Sequence, residues 1–414
     1  MLVGDGVRRM NADLFYKKTI PLRYRDTSLR FRVSQQLFSS HRIDPGTRFL
    51  LRSLEQLPVG SVRRLLDVGC GYGAIGLSLL KAGVVTEAQL VDRDALAVDY
   101  TRQNASLNVL ENVSVYGSLG YSDVSDYGAK GFDLIAANIP GKAGDRVIAS
   151  MLAGAGDHLA PGGLAAVVIV DALGDFAADV LGTLGSVEIV HDDVRSRYRL
   201  LHYRFGGDER ESAGAEDPLE PYLRDEIEVD LGGHEYAMQA AHGLPDFEGP
   251  GIAAGLLIEA LDRAGEIGES GSAAVFSPGQ GYAPLGVWQR TRPRHMFLVG
   301  PDLLALRYSH RNLTANGCPE ERISVHHQTG PALRDQAPVA LLAALLRGNE
   351  DAVEAASLAA AFSSMIEPGG QMFAAGRSTP VARLAAAVEK VSEFRVVDRK
   401  KRRGFGLLIA RRSS

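Results

Sequence analysis

Short apolar runs alternate with stretches of helical period along the first half of the chain. "RRLLDVG", "EAQLVDRD", "NVSVYG", "FDLIAANIP" and "GGLAAVVIV" read as strands. "IGLSLLKAG", "ALAVDYTRQNASLNV" and "DRVIASMLAGAGDHLA" read as the helices between them, and "SVEIVHDD" with "YRLLHYRF" as a terminal strand pair. Such alternation predicts an α/β fold with a doubly wound sheet. Ligands of such sheets sit beyond the carboxyl ends of the strands, near the switch point. The glycine turn after the first strand, Asp92 and "NIPG" would all emerge there.

The pattern then repeats. "YTRQNASLNVLENVSV" pairs with "YSHRNLTANGCPEERISV", placing Tyr100 on Tyr308, Asn104 on Asn312 and Asn108 on Asn316. Pro161, Gly162 and Gly163 recur as Pro368, Gly369 and Gly370, and "RSRYRLLHYRF" is answered by "KRRGFGLLIAR". The lead-ins agree too, from Tyr16 to Pro45-Gly46 and from Tyr222 to Pro250-Gly251. This is a tandem duplication. "GGDERESAGAEDPLEP", almost without apolar residues, reads as an exposed linker. The expected organisation is a domain over 1–205, a linker over 206–221 and a second domain over 222–414.

Composition narrows the function classes. A chain of 414 residues, 45% hydrophobic, suits two cores. A net charge of −5 argues against a protein that coats nucleic acid generally, leaving room for a local basic face. Cys70 and Cys318 are the only cysteines, far apart, which suits a reducing compartment and neither a disulfide scaffold nor a metal site. No apolar run approaches the length of a membrane span, so a soluble cytoplasmic protein with no membrane partner is expected.

"LLDVGCGYGAIG" carries the first candidate chemistry. Gly71 to Gly76 fit G-x-G-x-x-G with Asp92 about twenty residues on, the fingerprint of a dinucleotide site. Asp67 decides against it. A pyrophosphate there would face a carboxylate, whereas the ammonium of a methionine-type ligand is attracted to one. The glycines, Gly69, Gly71 and Gly73, then let the backbone approach S-adenosylmethionine, and Asp92 can accept both ribose hydroxyls.

These residues carry a family resemblance. "LLDVGCGYGAIGLSL", "VDRD", "NASLN", "FDLIAANIP" and "HLAPGGLAAVV" resemble the ordered motifs of class I S-adenosylmethionine-dependent methyltransferases. The lead-in "LFSSHRIDPGTRFLL" is similar to that of the tandem-domain ribosomal RNA small-subunit guanine-N2 methyltransferases. The resemblance implies two tandem Rossmann-like domains, one of them degenerate. It also implies that Phe38 and Ser39 help close over the cofactor and that Ser118 belongs to the cofactor-binding set. Aligned on its glycines, the second copy has Ser277 at Asp67, Ala283 at Gly73, Gly300 at Asp92 and Leu345 at Asn138, so the chemistry is expected in the first copy alone. The order departs from the best-known small-subunit enzyme, whose degenerate half comes first.

In the amine-methylating members of this class the fourth strand ends in Asn-Pro-Pro-aromatic, the amide accepting from the amine and the ring stacking on the base. Here Asn138 and Pro140 survive as candidate catalytic residues, but Ile139 and Gly141 replace the second proline and the aromatic. Lys142 is a candidate contact to a substrate phosphate or carboxylate. Ten cations between Arg8 and Arg48 face only Asp13, Asp26 and Asp44, and "RKKRR" at 399–403 adds a basic stretch in an expected hairpin. Three readings follow: an RNA methyltransferase acting on a ribosomal base amine, a small-molecule or secondary-metabolite methyltransferase, and a non-catalytic RNA-binding protein that retains its cofactor.

Overall fold

Leu65, Leu66, Asp67 and Val68, the carboxyl half of the strand Val62–Val68, are buried one after another, the mark of a parallel strand covered by helices on either side. Leu65 packs with Leu50 and Tyr100 in one core cluster, and its neighbour Leu66 with Phe132 and Ile148 in another. The structure, a computed structural model, describes residues 14–124, 131–206, 217–264, 267, 270–333 and 336–414. It forms two compact units, one ending at Tyr222 and the other spanning Leu223–Ser414.

The first unit opens with a hairpin, β1 (Tyr16–Tyr24) and β2 (Thr27–Ser34), followed by the helix Pro45–Ser53. Its sheet comprises β3 (Val62–Val68), β4 (Val85–Asp92), β5 (Val113–Gly117), β6 (Phe132–Asn138), β7 (Leu159–Val170), β8 (Val187–Arg195) and β9 (Tyr198–Phe205). The strand order is β5-β4-β3-β6-β7-β9-β8, with β3 to β7 parallel and β9 antiparallel to both neighbours. The order reverses between β3 and β6. The carboxyl ends of β4, β3 and β6 therefore lie side by side.

The second unit repeats the plan with a hairpin, β10 (Leu223–Asp230) and β11 (Glu235–Ala241), and a seven-stranded sheet. That sheet holds β12 (Ser272–Phe276), β13 (His295–Gly300), β14 (Ile323–His327), β15 (Val339–Leu345), β16 (Ile366–Arg377), β17 (Phe394–Arg402) and β18 (Phe405–Arg412). Its order, β14-β13-β12-β15-β16-β18-β17, matches the first strand for strand. In each unit the paired asparagines tie the hairpin to a helix. Asn104, in the helix Ala95–Leu107, accepts from Arg32 N at 2.7 Å and donates to Arg32 O and Tyr72 O. Asn312 does the same for Gln239 and Gln280.

Two expectations are modified. The helix expected over "DRVIASMLAGAGDHLA" stops at Ala153, continues as the short turn Ala155–His158 and gives way to β7 at Leu159. A Cβ on Gly154 would lie 2.9 Å from the Tyr121 ring, whose hydroxyl donates to Met151 O, so the chain turns around that tyrosine. Of the expected linker, residues 207–216 lie outside the described residues. Leu219 and Pro221 are buried, and Glu220 pairs with Arg146 of the first unit.

Candidate active site

Asp67, Asp92 and Asn138 stand at the carboxyl ends of three adjacent strands. In the ladder Asp67 is level with Leu90 of β4 and Ala136 of β6, so Asp92 and Asn138 flank it two residues further along. Asp67 is fully buried. Its Oδ2 accepts from Gly76 N at 2.8 Å, in the first turn of the helix Ala74–Lys81, while its Oδ1 has no hydrogen-bond partner among the described residues. Burial pushes its carboxyl up to about 7; the Gly76 amide opposes the shift and the charge of Asp92 reinforces it. Asp92 keeps part of its surface open, and both its oxygens accept backbone N–H groups, Oδ2 from Gly71 and Oδ1 from Asp94. Burial raises its carboxyl too.

The turn between them is left-handed at Gly69, Gly71 and Gly73, with φ of 73°, 59° and 87°. The three serve different ends. A Cβ on Gly69 or Gly71 would enter open space, whereas one on Gly73 would lie 2.8 Å from Leu77 Cδ1. The first two keep a ligand-facing surface clear, and the third lets the helix pack. Cys70 is buried, and burial raises its thiol.

Asn138 is held by residues to which sequence reasoning assigned no role. Its Nδ2 donates to Asp44 Oδ2 at 2.9 Å and Thr47 Oγ1 at 3.1 Å. Asp44 in turn accepts from Thr47 N at 3.1 Å, capping the helix Pro45–Ser53, and from the Tyr198 hydroxyl at 3.0 Å. A carboxylate has no hydrogen to give, so it orients the amide with NH2 inward and leaves Oδ1 as the acceptor. The Tyr198 ring lies against the backbone at Gly46, where a Cβ would stand 2.6 Å from it. Asp44 and Thr47 belong to the lead-in motif "IDPGT", which marked the segment; nothing near Tyr198 in sequence signals its part.

The remaining candidates are dispersed. Phe38 is 71% exposed and Ser39 adopts a left-handed φ of 57° in the turn after β2. Ser118 is buried, donating to Gly120 O at 2.9 Å and accepting from Asp123 N at 3.2 Å. Pro140 and Lys142 are both exposed in the turn after β6, where Pro140 O accepts from Ala143 N. In the basic hairpin β17–β18, Arg399 pairs with Glu389 and Arg402 with Glu259. Arg8 and Arg9 lie outside the described residues.

The second unit corrects the alignment by two residues. Asn104 donates to Tyr72 O and Asn312 to Gln280 O, and the matching helices begin at Ala74 and Tyr282. Asp67 therefore corresponds to Val275, not Ser277, and Gly73 to Gly281, not Ala283. Ser277 stands at Gly69 and keeps its left-handed turn, φ 56°, with a buried hydroxyl that has no partner among the described residues. Gly300 and Leu345 replace Asp92 and Asn138 at the matching strand ends. The glycines misled because the first copy has three at alternate positions and the second only two, Gly279 and Gly281, which can be laid on either neighbouring pair of the three.

Residues 28–202 match the methyltransferase small domain family. An uncharacterized Bacillus subtilis protein, YbxB, is 34% identical over 153 residues, covering 37% of this chain and 74% of that one. Ribosomal RNA small subunit methyltransferase C of Hahella chejuensis is 32% identical over 170 residues, 40% of this chain and 46% of the relative, so the match spans under half of that enzyme. Over 96% of this chain and 99% of the other, the fold matches a T. thermophilus 16S rRNA N2 G1207 methyltransferase in complex with AdoMet and guanosine, with a TM-score of 0.66 and 18% identity.

Proposed function

The chain belongs to the methyltransferase small domain family of class I S-adenosylmethionine-dependent methyltransferases, and on that premise we propose that its first unit methylates an exocyclic amine of a ribosomal RNA base. The observation that carries this reading is the held amide of Asn138. With Nδ2 committed to Asp44 and Thr47, Oδ1 faces the acceptor as a fixed hydrogen-bond acceptor. An amine that donates to it has its lone pair directed away from that bond, and orientation of this kind supplies much of the acceleration in a group transfer.

The residues fit the cofactor. The unpartnered, buried Oδ1 of Asp67 would meet its ammonium, and the open faces of Gly69 and Gly71 leave room for a ligand against the backbone. Asp92 would accept the ribose hydroxyls on the lone pairs its two backbone bonds leave, with Ser118, Phe38 and Ser39 at the margin. When bound, S-adenosylmethionine supplies an electrophilic methyl group on a sulfonium centre. The second unit, with Val275, Gly300 and Leu345 at the three polar positions, serves a structural or substrate-holding part.

One observation favours a small-molecule acceptor instead. Gly141 stands where a base-stacking aromatic would be, and a Cβ there would lie 2.8 Å from Val170 Cγ2, so the flank is already filled by an aliphatic side chain. Mass spectrometry of total RNA nucleosides from a deletion strain beside wild type separates the two. Loss of one methylated nucleoside supports RNA; an unchanged profile transfers the assignment to a metabolite.

A further inference from the structure

The hairpin β1–β2 buries one face and turns the other to solvent. Leu22, Leu29, Phe31 and Val33 are buried, while the opposed pairs Thr19–Arg32, Pro21–Arg30 and Arg23–Ser28 occupy the outward face. Other cations of the segment are committed to the fold. The Arg25 guanidinium donates to the carbonyls of Leu54, Glu55 and Leu57, and Lys17 reaches Ser40 and His41. Arg23 and Arg30 are exposed, with no side-chain partner among the described residues, and Arg32 lies over the Tyr16 ring at 4.3 Å. Tyr16 itself is 41% exposed. Like charges gathered on one sheet face repel, and among the described residues no acid pairs with Arg23 or Arg30.

The second unit supplies an internal comparison. The asparagine clamps fix the correspondence, since Asn104 and Asn108 hold the backbone of Arg32 and Arg30 while Asn312 and Asn316 hold Gln239 and Ala237. Arg23 and Ser28 then match Asp230 and Glu235, which oppose each other in β10–β11. Thr19 and Pro21 match Glu226 and Glu228. At the matching outward positions of the same clamped hairpin stand three arginines in the unit with the polar site, and four acids and no arginine or lysine in the unit without it. The fold does not require the arginines, because Ala, Gln and Asp occupy their places in the other copy. The charge of Arg23 and Arg30 is left to be explained by a ligand.

We propose that the outward face of β1–β2 is the surface on which the sugar-phosphate backbone of the RNA acceptor lies, with Arg23, Arg30 and Arg32 on phosphates and Tyr16 beside them for an unpaired base. The inference rests on the RNA reading above. Successive outward residues on a strand are about 7 Å apart, a repeat that suits consecutive phosphates of an extended strand. The surface adjoins the site through one side chain: Asn104 bonds Arg32 on one side and Tyr72 of the glycine turn on the other.

The test transplants the second copy's own residues. The triple variant Arg23→Asp, Arg30→Ala, Arg32→Gln keeps the backbone clamps. Anisotropy with a labelled single-stranded RNA of about 20 nucleotides, from about 50 to about 200 mM salt, reads the contact. Binding should weaken tenfold or more at low salt, and the slope of log affinity against log salt should become shallower by about 2, three lost phosphate contacts at about 0.7 each. Cofactor affinity by calorimetry should stay unchanged. The double variant Arg23→Gln, Arg30→Gln, whose side chains lie wholly outside the core, should give a slope change of about 1.4 if the triple variant proves unstable. A wild-type salt slope in either folded variant overturns this surface and leaves the RNA reading standing. Failure of the wild-type protein to bind RNA at low salt overturns both.

Discussion

Asn138 gives its amide hydrogen to the carboxylate of Asp44, 94 residues earlier in the chain, at 2.9 Å. The contact joins the end of the central strand β6 to the cap of a helix that precedes the whole sheet. Tyr198, from the closing strand pair, completes it from the other side. Three distant segments thereby set the direction of one amide.

Removal of that amide should separate binding from rate. For Asn138→Ala, cofactor affinity should stay within about threefold while turnover falls about a hundredfold or more, because the lost group orients the acceptor. Tyr198→Phe keeps the ring against Gly46 but removes one hydrogen bond to Asp44. It should cost about 1 kcal/mol of stability and lower turnover by less than Asn138→Ala does. Calorimetry with steady-state kinetics checks both; a large loss of cofactor affinity in Asn138→Ala would place the residue elsewhere in the site.

Cofactor stoichiometry should be one per chain. Asp92→Ala removes a carboxylate that accepts from Gly71 and Asp94, so it should weaken the cofactor by roughly 2 to 4 kcal/mol, turn and ribose contacts together. Gly300→Asp should not create a second site, since Val275 and Leu345 remain apolar. Two sites in a calorimetric titration of the wild-type protein would refute the assignment of the second unit.

The buried carboxyl of Asp67 gives a pH signature with a definite sign. Its folded value, about 7, lies above its ordinary 3.8, so between those values the folded protein binds more protons than the unfolded chain. The cofactor-free protein should therefore lose stability as pH rises from about 4 to 7 through this group. Cofactor binding runs the other way. A cationic ligand favours the carboxylate, so affinity should rise up to about tenfold per pH unit toward 7 and level off above it. Asp67→Asn should flatten both profiles, read by thermal melts and calorimetry from pH 5 to 8.

The asparagine clamps should differ in consequence though not in strength. Asn104→Ala and Asn312→Ala each break three backbone hydrogen bonds, at roughly 2 to 3 kcal/mol of stability. Only Asn104→Ala should also weaken the cofactor, because only its clamp reaches a glycine turn flanked by Asp67 and Asp92. Equal effects on cofactor affinity would sever that link.

The strands, their alternation with helices and the duplication are properties the sequence alone determined. A parallel strand covered on both faces is apolar where it is covered, as at Leu65, Leu66 and Val68, and the turn at its end must be free of side chains where a ligand approaches, as at Gly69 and Gly71. Asp67, Asp92 and Asn138 were legible because each ends a strand, and strand ends are a local pattern. What only the tertiary structure decided came from contacts between segments far apart in the chain. The register of the second copy was ambiguous while glycines were its guide, and became definite through Asn104 to Tyr72 and Asn312 to Gln280, hydrogen bonds that composition cannot carry. The same holds for Asp44 and Tyr198 around Asn138, and for the outward face shared by Arg23, Arg30 and Arg32. Hydrophobic period is written in neighbouring residues, whereas the partner of a polar group is chosen by the packing that brings distant strands and helices together.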